Sequence, residues 1–184
     1  MKLIKASIPE VLIIEPTVFS DSRGFFLETF SHQKYKSIGI DLDFVQDNHS
    51  RSFKNTLRGL HYQLNNPQGK LVRVARGSVF DVALDIRKGS RTFGKAVFAE
   101  LSDENMRQIY VPPGFAHGFC VTSDFADFEY KCTDYYHPED EGGILWSDSK
   151  IGIPWPTKYP LVSQKDSNYS TLSEISVDDL PAIS

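Results

Sequence analysis

The chain predicts an all-β fold, and three observations carry that expectation. Runs of five to eight residues that alternate or stay apolar recur along most of the 184 residues, turn chemistry separates them, and helical periodicity is weak. Strands at this spacing build a sandwich or a barrel.

Taken in order, "VLIIEPTVF" (11–19) and "FFLETF" (25–30) read as strands parted by "DSRG". A short helix is expected near 31–38, "SHQKYKSI". Then come "DFVQDNHS" (43–50), "TLRGLHYQ" (56–63) and "KLVRVARG" (70–77), with the turn "NNPQG" joining the last two. In "KLVRVA", Lys70 shares a face with Val72 and Val74, so it either snorkels at a strand end or enters a cavity. "SVFDVALDIR" (78–87) gives the clearest alternation, with Phe80, Val82, Leu84 and Ile86 opposite Asp81, Ala83, Asp85 and Arg87, a half-buried pattern. "TFGKAVFAEL", "RQIYVPPGF", "HGFCVTS" and "DFEYKCTDYY" continue the series to residue 136. The polar tail from about residue 170 is expected to pack loosely, with a short helix in "LSEISVDDL".

A composition of 40% hydrophobic and 12% aromatic residues suffices for one sizeable core, so a single domain over 1–184 is expected. Net charge is −4 and no Lys/Arg block occurs, which excludes the charge signature of nucleic-acid or membrane-surface binding. Cys120 and Cys132 form no CxxC pair, which fits a reducing compartment better than a disulfide framework or a zinc ribbon. The N-terminal apolar run is broken by Lys5, Ser7, Pro9 and Glu10 and suits neither a signal peptide nor a membrane span. A soluble cytoplasmic protein is expected.

"GLHYQ" (59–63) and "PPGFAHGF" (112–119) resemble the two motifs of the cupin superfamily, jelly-roll β-barrels. In metal-binding cupins the first motif supplies His-x-His and then a Glu, and the second supplies one more His. Here Gln63 replaces the second histidine and nothing acidic follows until Asp81. His61 and His117 alone make an incomplete site for zinc, iron or manganese, so no metal is expected. His61 is then a base, a binding residue or a bonded core histidine.

Longer stretches decide more. "DSRGFFLETF" (21–30), "QDNHSRSFKNTLRGLHYQ" (46–63), "QGKLVRVARGSVFDVALDIRKGSRTFG" (68–94), "VPPGFAHGF" (111–119), "YKCTDYYHPEDEGGILWSD" (130–148) and "SQKD" (163–166) resemble the dTDP-4-dehydrorhamnose 3,5-epimerase family from about residue 8 to 168. The resemblance implies a cupin-type jelly roll and a dTDP-4-keto-6-deoxyhexose substrate, dTDP-4-keto-6-deoxyglucose, whose C4 ketone acidifies the hydrogens on C3 and C5. It implies no cofactor. By the same resemblance His61 is the base, Asp166 orients it, Lys70 stabilises the C4 enolate oxygen and Tyr130 returns a proton from the opposite face. Arg23 and Arg58 fall at the two phosphates, and Glu28, Gln46, Asn48, His117, Glu141 and Lys165 at further binding positions. Alternation puts Tyr136 on the face of Tyr130, available to stack on the thymine or to serve as plain barrel core.

One conflict stands out. Arg58 lies three residues before His61, so simple alternation sends the two to opposite faces unless Gly59 carries a bulge or an arginine arrives from a neighbouring subunit. Asn55 stands where the family pattern has glycine, and "WSDS" at 146–149 lacks a proline after its aspartate. Relatives that invert only C3 or only C5 share the same acid and base, and a non-catalytic sugar-nucleotide-binding cupin or a metal-dependent cupin oxygenase or isomerase would be built on the same barrel. A homodimer formed by sheet extension is expected, a geometry the resemblance also implies.

Overall fold

A computed structural model describes residues 1–183. One sheet runs in the order β1 (Lys2–Ile4), β2 (Leu12–Glu15), β10 (Gln108–Val111), β7 (Lys70–Arg76), β12 (Phe125–Cys132) and β5 (Gln46–Phe53). The second runs β13 (Glu141–Gly143), β6 (Thr56–Gln63), β11 (Phe115–Val121), β8 (Ser78–Asp85) and β9 (Ala96–Ser102), with β14 (Leu161–Val162) parallel to β6. Sequence-distant strands are neighbours in both sheets, as β7 is between β10 and β12, which is the interleaving of a jelly roll. The expected all-β cupin-like fold is the fold observed.

The two sheets close on a common core. Val72, Val74, Ile109 and Phe128 of the first meet Val79, Ala83, Leu101, Phe119 and Val121 of the second, and the Phe119 and Phe128 rings stack 3.9 Å apart. The outer face of the first sheet is covered by α1 (His32–Lys36), where the expected helix forms. Its Tyr35 packs on Ile14, Leu71 and Tyr110 and donates a hydrogen bond of 2.6 Å to Gln108 Oε1. No helix among the described residues is long and apolar enough to cross a membrane.

Three expectations change. "VLIIEPTVF" is not one strand, because Pro16 cannot donate to a ladder; the chain breaks there, and β3 (Val18–Asp21) pairs only with β4 (Gly24–Leu27) in a separate hairpin. β8 is not half-buried: Asp81 and Asp85 are as inaccessible as Val82 and Leu84, since β8 is interior to its sheet and both faces are covered. The cover on the outer face is the tail, which does not pack loosely. Leu180 is buried, and Leu172 and Ile175 pack on the Val82, Leu84 and Ile86 cluster. The tail forms two single 3₁₀ turns, Leu172–Glu174 and Val177–Asp179, in place of one helix.

Candidate active site

At one end of the barrel the two sheets part around a cavity of about 580 Å³. Its floor is apolar, Phe119 and Phe128, and its walls are polar. The second sheet contributes His61 and Arg58 from β6 and His117 from β11; the first contributes Lys70 from β7, Tyr130 from β12, and Gln46 and Asn48 from β5. Register explains the grouping. His61 is opposite His117 across β6 and β11, while Lys70 pairs with Cys132 and Tyr130 with Val72 across β7 and β12. Residues two apart on a strand share a face, so Lys70 and Tyr130 both project inward from the wall facing His61.

Arg58 and His61 line the same cavity, and a bulge is the reason. Arg58 is opposite Phe119 and His61 opposite His117, so three steps along β6 match two along β11. Gly59 sits in that irregularity with φ +120°, and a Cβ there would come within 2.6 Å of Gly118 Cα. Only glycine fits.

His61 Nε2 lies 2.7 Å from Asp166 Oδ1, leaving Nδ1 free, 3.8 Å from Glu141 Oε1. Asp166 comes from α2 (Gln164–Ser167), which is capped by Ser163, whose hydroxyl accepts from the Asp166 N–H. Its second oxygen accepts from the Gly59 N–H at 3.2 Å, so one carboxylate ties the helix, the bulge and the imidazole together. Burial alone would raise the Asp166 pKa, but the bonds from His61 and Gly59 carry it below its ordinary 3.8. Glu141 behaves likewise: burial opposes ionisation, yet Lys165, His61 and the Tyr136 hydroxyl at 3.0 Å keep it charged. Tyr136 reaches the cavity, but not by alternation, because β12 ends at Cys132 and Tyr136 arrives from the following loop, half-exposed.

His117 has its own carboxylate, Asp81, with both oxygens 3.0 Å from Nε2. Sequence reasoning missed Asp81 as a site residue. The available signal was its place on the inward face of β8 with Ala83. On the opposite wall, desolvation lowers the Lys70 pKa below 10.5, and no ion pair holds it among the described residues. Burial pushes the Tyr130 phenol up to about 12, so it stays protonated. A carboxylate-bound imidazole therefore faces an ammonium and a neutral phenol across a space with polar walls, an arrangement suited to removing a proton next to a carbonyl and returning one from the other side.

The model of the family described as dTDP-4-dehydrorhamnose 3,5-epimerase matches residues 5–174. The chain belongs to this family. It is 58% identical over 170 residues to the dTDP-4-dehydrorhamnose 3,5-epimerase of Shigella flexneri, covering 91% of this chain and 94% of that one. Identity to the enzyme of the same description from Salmonella typhimurium is 57% over 169 residues, with 90% and 92% covered. Among solved structures, a dTDP-6-deoxy-D-glucose-3,5-epimerase from Legionella pneumophila, in complex with dTDP-4-keto-L-rhamnose, superposes with a TM-score of 0.96 at 51% identity, over 100% of this chain and 98% of that one.

Two binding positions expected from this dTDP-4-dehydrorhamnose 3,5-epimerase pattern are not in the cavity. Arg23 lies at the turn of the β3–β4 hairpin with its guanidinium on Asp21, and Glu28 pairs with Lys34 at 2.9 Å. The hairpin joins neither main sheet, and neither Arg23 at its turn nor Glu28 just after it lines the chain's own cavity. Gln63, in the place of a cupin metal ligand, instead staples loops: its amide donates to the Asn66 and Tyr135 carbonyls and accepts from the His137 N–H. Asn55 adopts φ +64°, the left-handed conformation that asparagine tolerates.

Proposed function

We propose that the chain inverts C3 and C5 of dTDP-4-keto-6-deoxyglucose, giving dTDP-4-keto-L-rhamnose for dTDP-L-rhamnose biosynthesis. It is an isomerase, an epimerase of a sugar nucleotide. The observation that carries the residue roles is the 2.7 Å His61–Asp166 pair on one wall opposite Lys70 and Tyr130 on the other. His61 Nδ1 takes the proton from the carbon next to the ketone, and Asp166 holds the ring and stabilises the imidazolium. Lys70 meets the enolate oxygen that forms at C4, where a poorly solvated ammonium is worth more than in water. Tyr130 delivers a proton to the opposite face, which inverts the centre. His61 then releases its proton to solvent and Tyr130 regains one from it, the sugar re-seats, and the same groups serve the second carbon.

Arg58 binds the diphosphate and Tyr136 stacks on the thymine, while Gln46, Asn48, His117, Glu141 and Lys165 hold the rest of the substrate. Arg23 and Glu28 act in a homodimer, in which the hairpin extends a partner's sheet and reaches the partner's cavity. Phe19, Phe25 and Phe26 on that hairpin are 63%, 60% and 69% exposed, an apolar surface suited to burial against a second copy. The chain acts as one domain.

Incubation with dTDP-4-keto-6-deoxyglucose in deuterated water tests the reading. Deuterium should enter C3 and C5. His61→Ala should lose exchange at both by about 10³-fold or more, whereas Tyr130→Phe should keep exchange and lose inversion. Exchange at C3 alone would assign a single-centre epimerase, and full turnover by His61→Ala would refute the base.

A further inference from the structure

Asp166 fixes His61 at one point only, and an imidazole tethered at one nitrogen can still swing about its Cβ–Cγ bond. A second contact restrains it. The ring of Tyr169 packs against His61, with centroids 5.9 Å apart and planes inclined at 68°. Tyr169 does not line the cavity, so it backs the imidazole without occupying substrate space.

The space for Tyr169 is provided by a specific residue. Gly143 is opposite His61 in the β6–β13 pair, and a Cβ on it would lie 2.3 Å from Cε2 and Cζ of Tyr169. Any larger residue there displaces the ring. The Tyr169 hydroxyl, by contrast, is buried beside Lys165 and makes no hydrogen bond of ordinary geometry, so the contact that counts is assigned to the ring.

We propose that Tyr169 is a positioning residue for the epimerisation: seated on Gly143, its ring holds His61 with one nitrogen on Asp166 and the other aimed at the substrate, and keeps water off the back of the pair. This rests on His61 being the base. The role is to fix geometry, so removing the ring should slow proton transfer while leaving substrate binding intact.

The test compares Tyr169→Leu, Tyr169→Phe, Gly143→Ala, the Gly143→Ala/Tyr169→Leu double variant and His61→Ala. The readouts are kcat, KM, melting temperature and the His61 tautomer from its ¹⁵N shifts. Tyr169→Leu should lower kcat about ten- to a hundredfold with KM within about twofold, and should mix the His61 tautomers. Tyr169→Phe, which keeps the ring, should restore both and melt no lower than the native chain. Gly143→Ala should reproduce the loss, and the double variant should lose less than the product of the two single losses. An inactive His61→Ala beside a Tyr169→Leu of native kcat and tautomer overturns this inference alone; an active His61→Ala overturns the base assignment beneath it. Equal losses in Tyr169→Phe and Tyr169→Leu would move the role to the hydroxyl and refute positioning by the ring. If Tyr169→Leu does not fold, native kcat and a single tautomer in Gly143→Ala refute the proposal.

Discussion

Lys70 and Tyr130 project from the same wall, and burial moves them in opposite directions. Desolvation penalises whichever form carries charge, so the lysine pKa falls below 10.5 and the tyrosine rises to about 12. The proposed chemistry needs Lys70 charged. As pH rises through its lowered pKa the ammonium is lost, so the alkaline limb of kcat/KM should lie below 10.5 and belong to Lys70, not Tyr130. Lys70→Arg, which stays charged, should move that limb upward in whatever activity remains. A pH–rate profile showing the limb unmoved would refute the assignment. At this scale the residue types were legible from motifs, but their partners were not: the Asp81–His117 bond needs β8 and β11 to be neighbours, and nothing local to Asp81 announces that.

Among elements, β6 shapes the site and the β3–β4 hairpin stands apart from it. In β6 a period of two was the right rule and failed at one residue, Gly59, where the bulge restores Arg58 and His61 to one face. The glycine was visible in sequence as the place for such a break; the direction of the re-aim was not. The hairpin separates Arg23 and Glu28 from the cavity that the motif would assign them to. If it completes a partner's site, the double variant Phe25→Asp/Phe26→Asp should run as a monomer in size-exclusion chromatography. It should also raise KM about tenfold or more, the scale of a lost charged phosphate contact. A dimer of unchanged KM in that variant would exclude the hairpin from the interface.

For the molecule as a whole, the tail that the sequence reads as loose is a structural cover. Leu172, Ile175 and Leu180 pack over Val82, Leu84 and Ile86, the Tyr62 hydroxyl donates to the Asp179 carbonyl at 2.9 Å, and the Lys88 N–H donates to Pro181. Ending the chain after Ser170 uncovers these side chains. At roughly 1.5–3 kcal/mol for each large apolar group returned to water, the loss should be several kcal/mol, read as a lower guanidinium midpoint. A truncated chain as stable as the full one would show that the cover is dispensable. The tail is polar on average, and Leu172, Ile175 and Leu180 stand singly among polar residues, so composition hid what contact reveals.

Periodicity and turn residues are local properties, and they were enough to determine the all-β class and most strand positions, while the family resemblance supplied the motif residues of the site. Only the tertiary structure decided which of those residues meet. The cavity joins β5, β6, β7, β11, β12, β13 and α2, whose neighbour relations arise from burying one common core between two sheets. That non-local packing sets the His61–Asp166 contact across 105 residues of chain, places Lys70 and Tyr130 on the wall opposite, and leaves Arg23 outside.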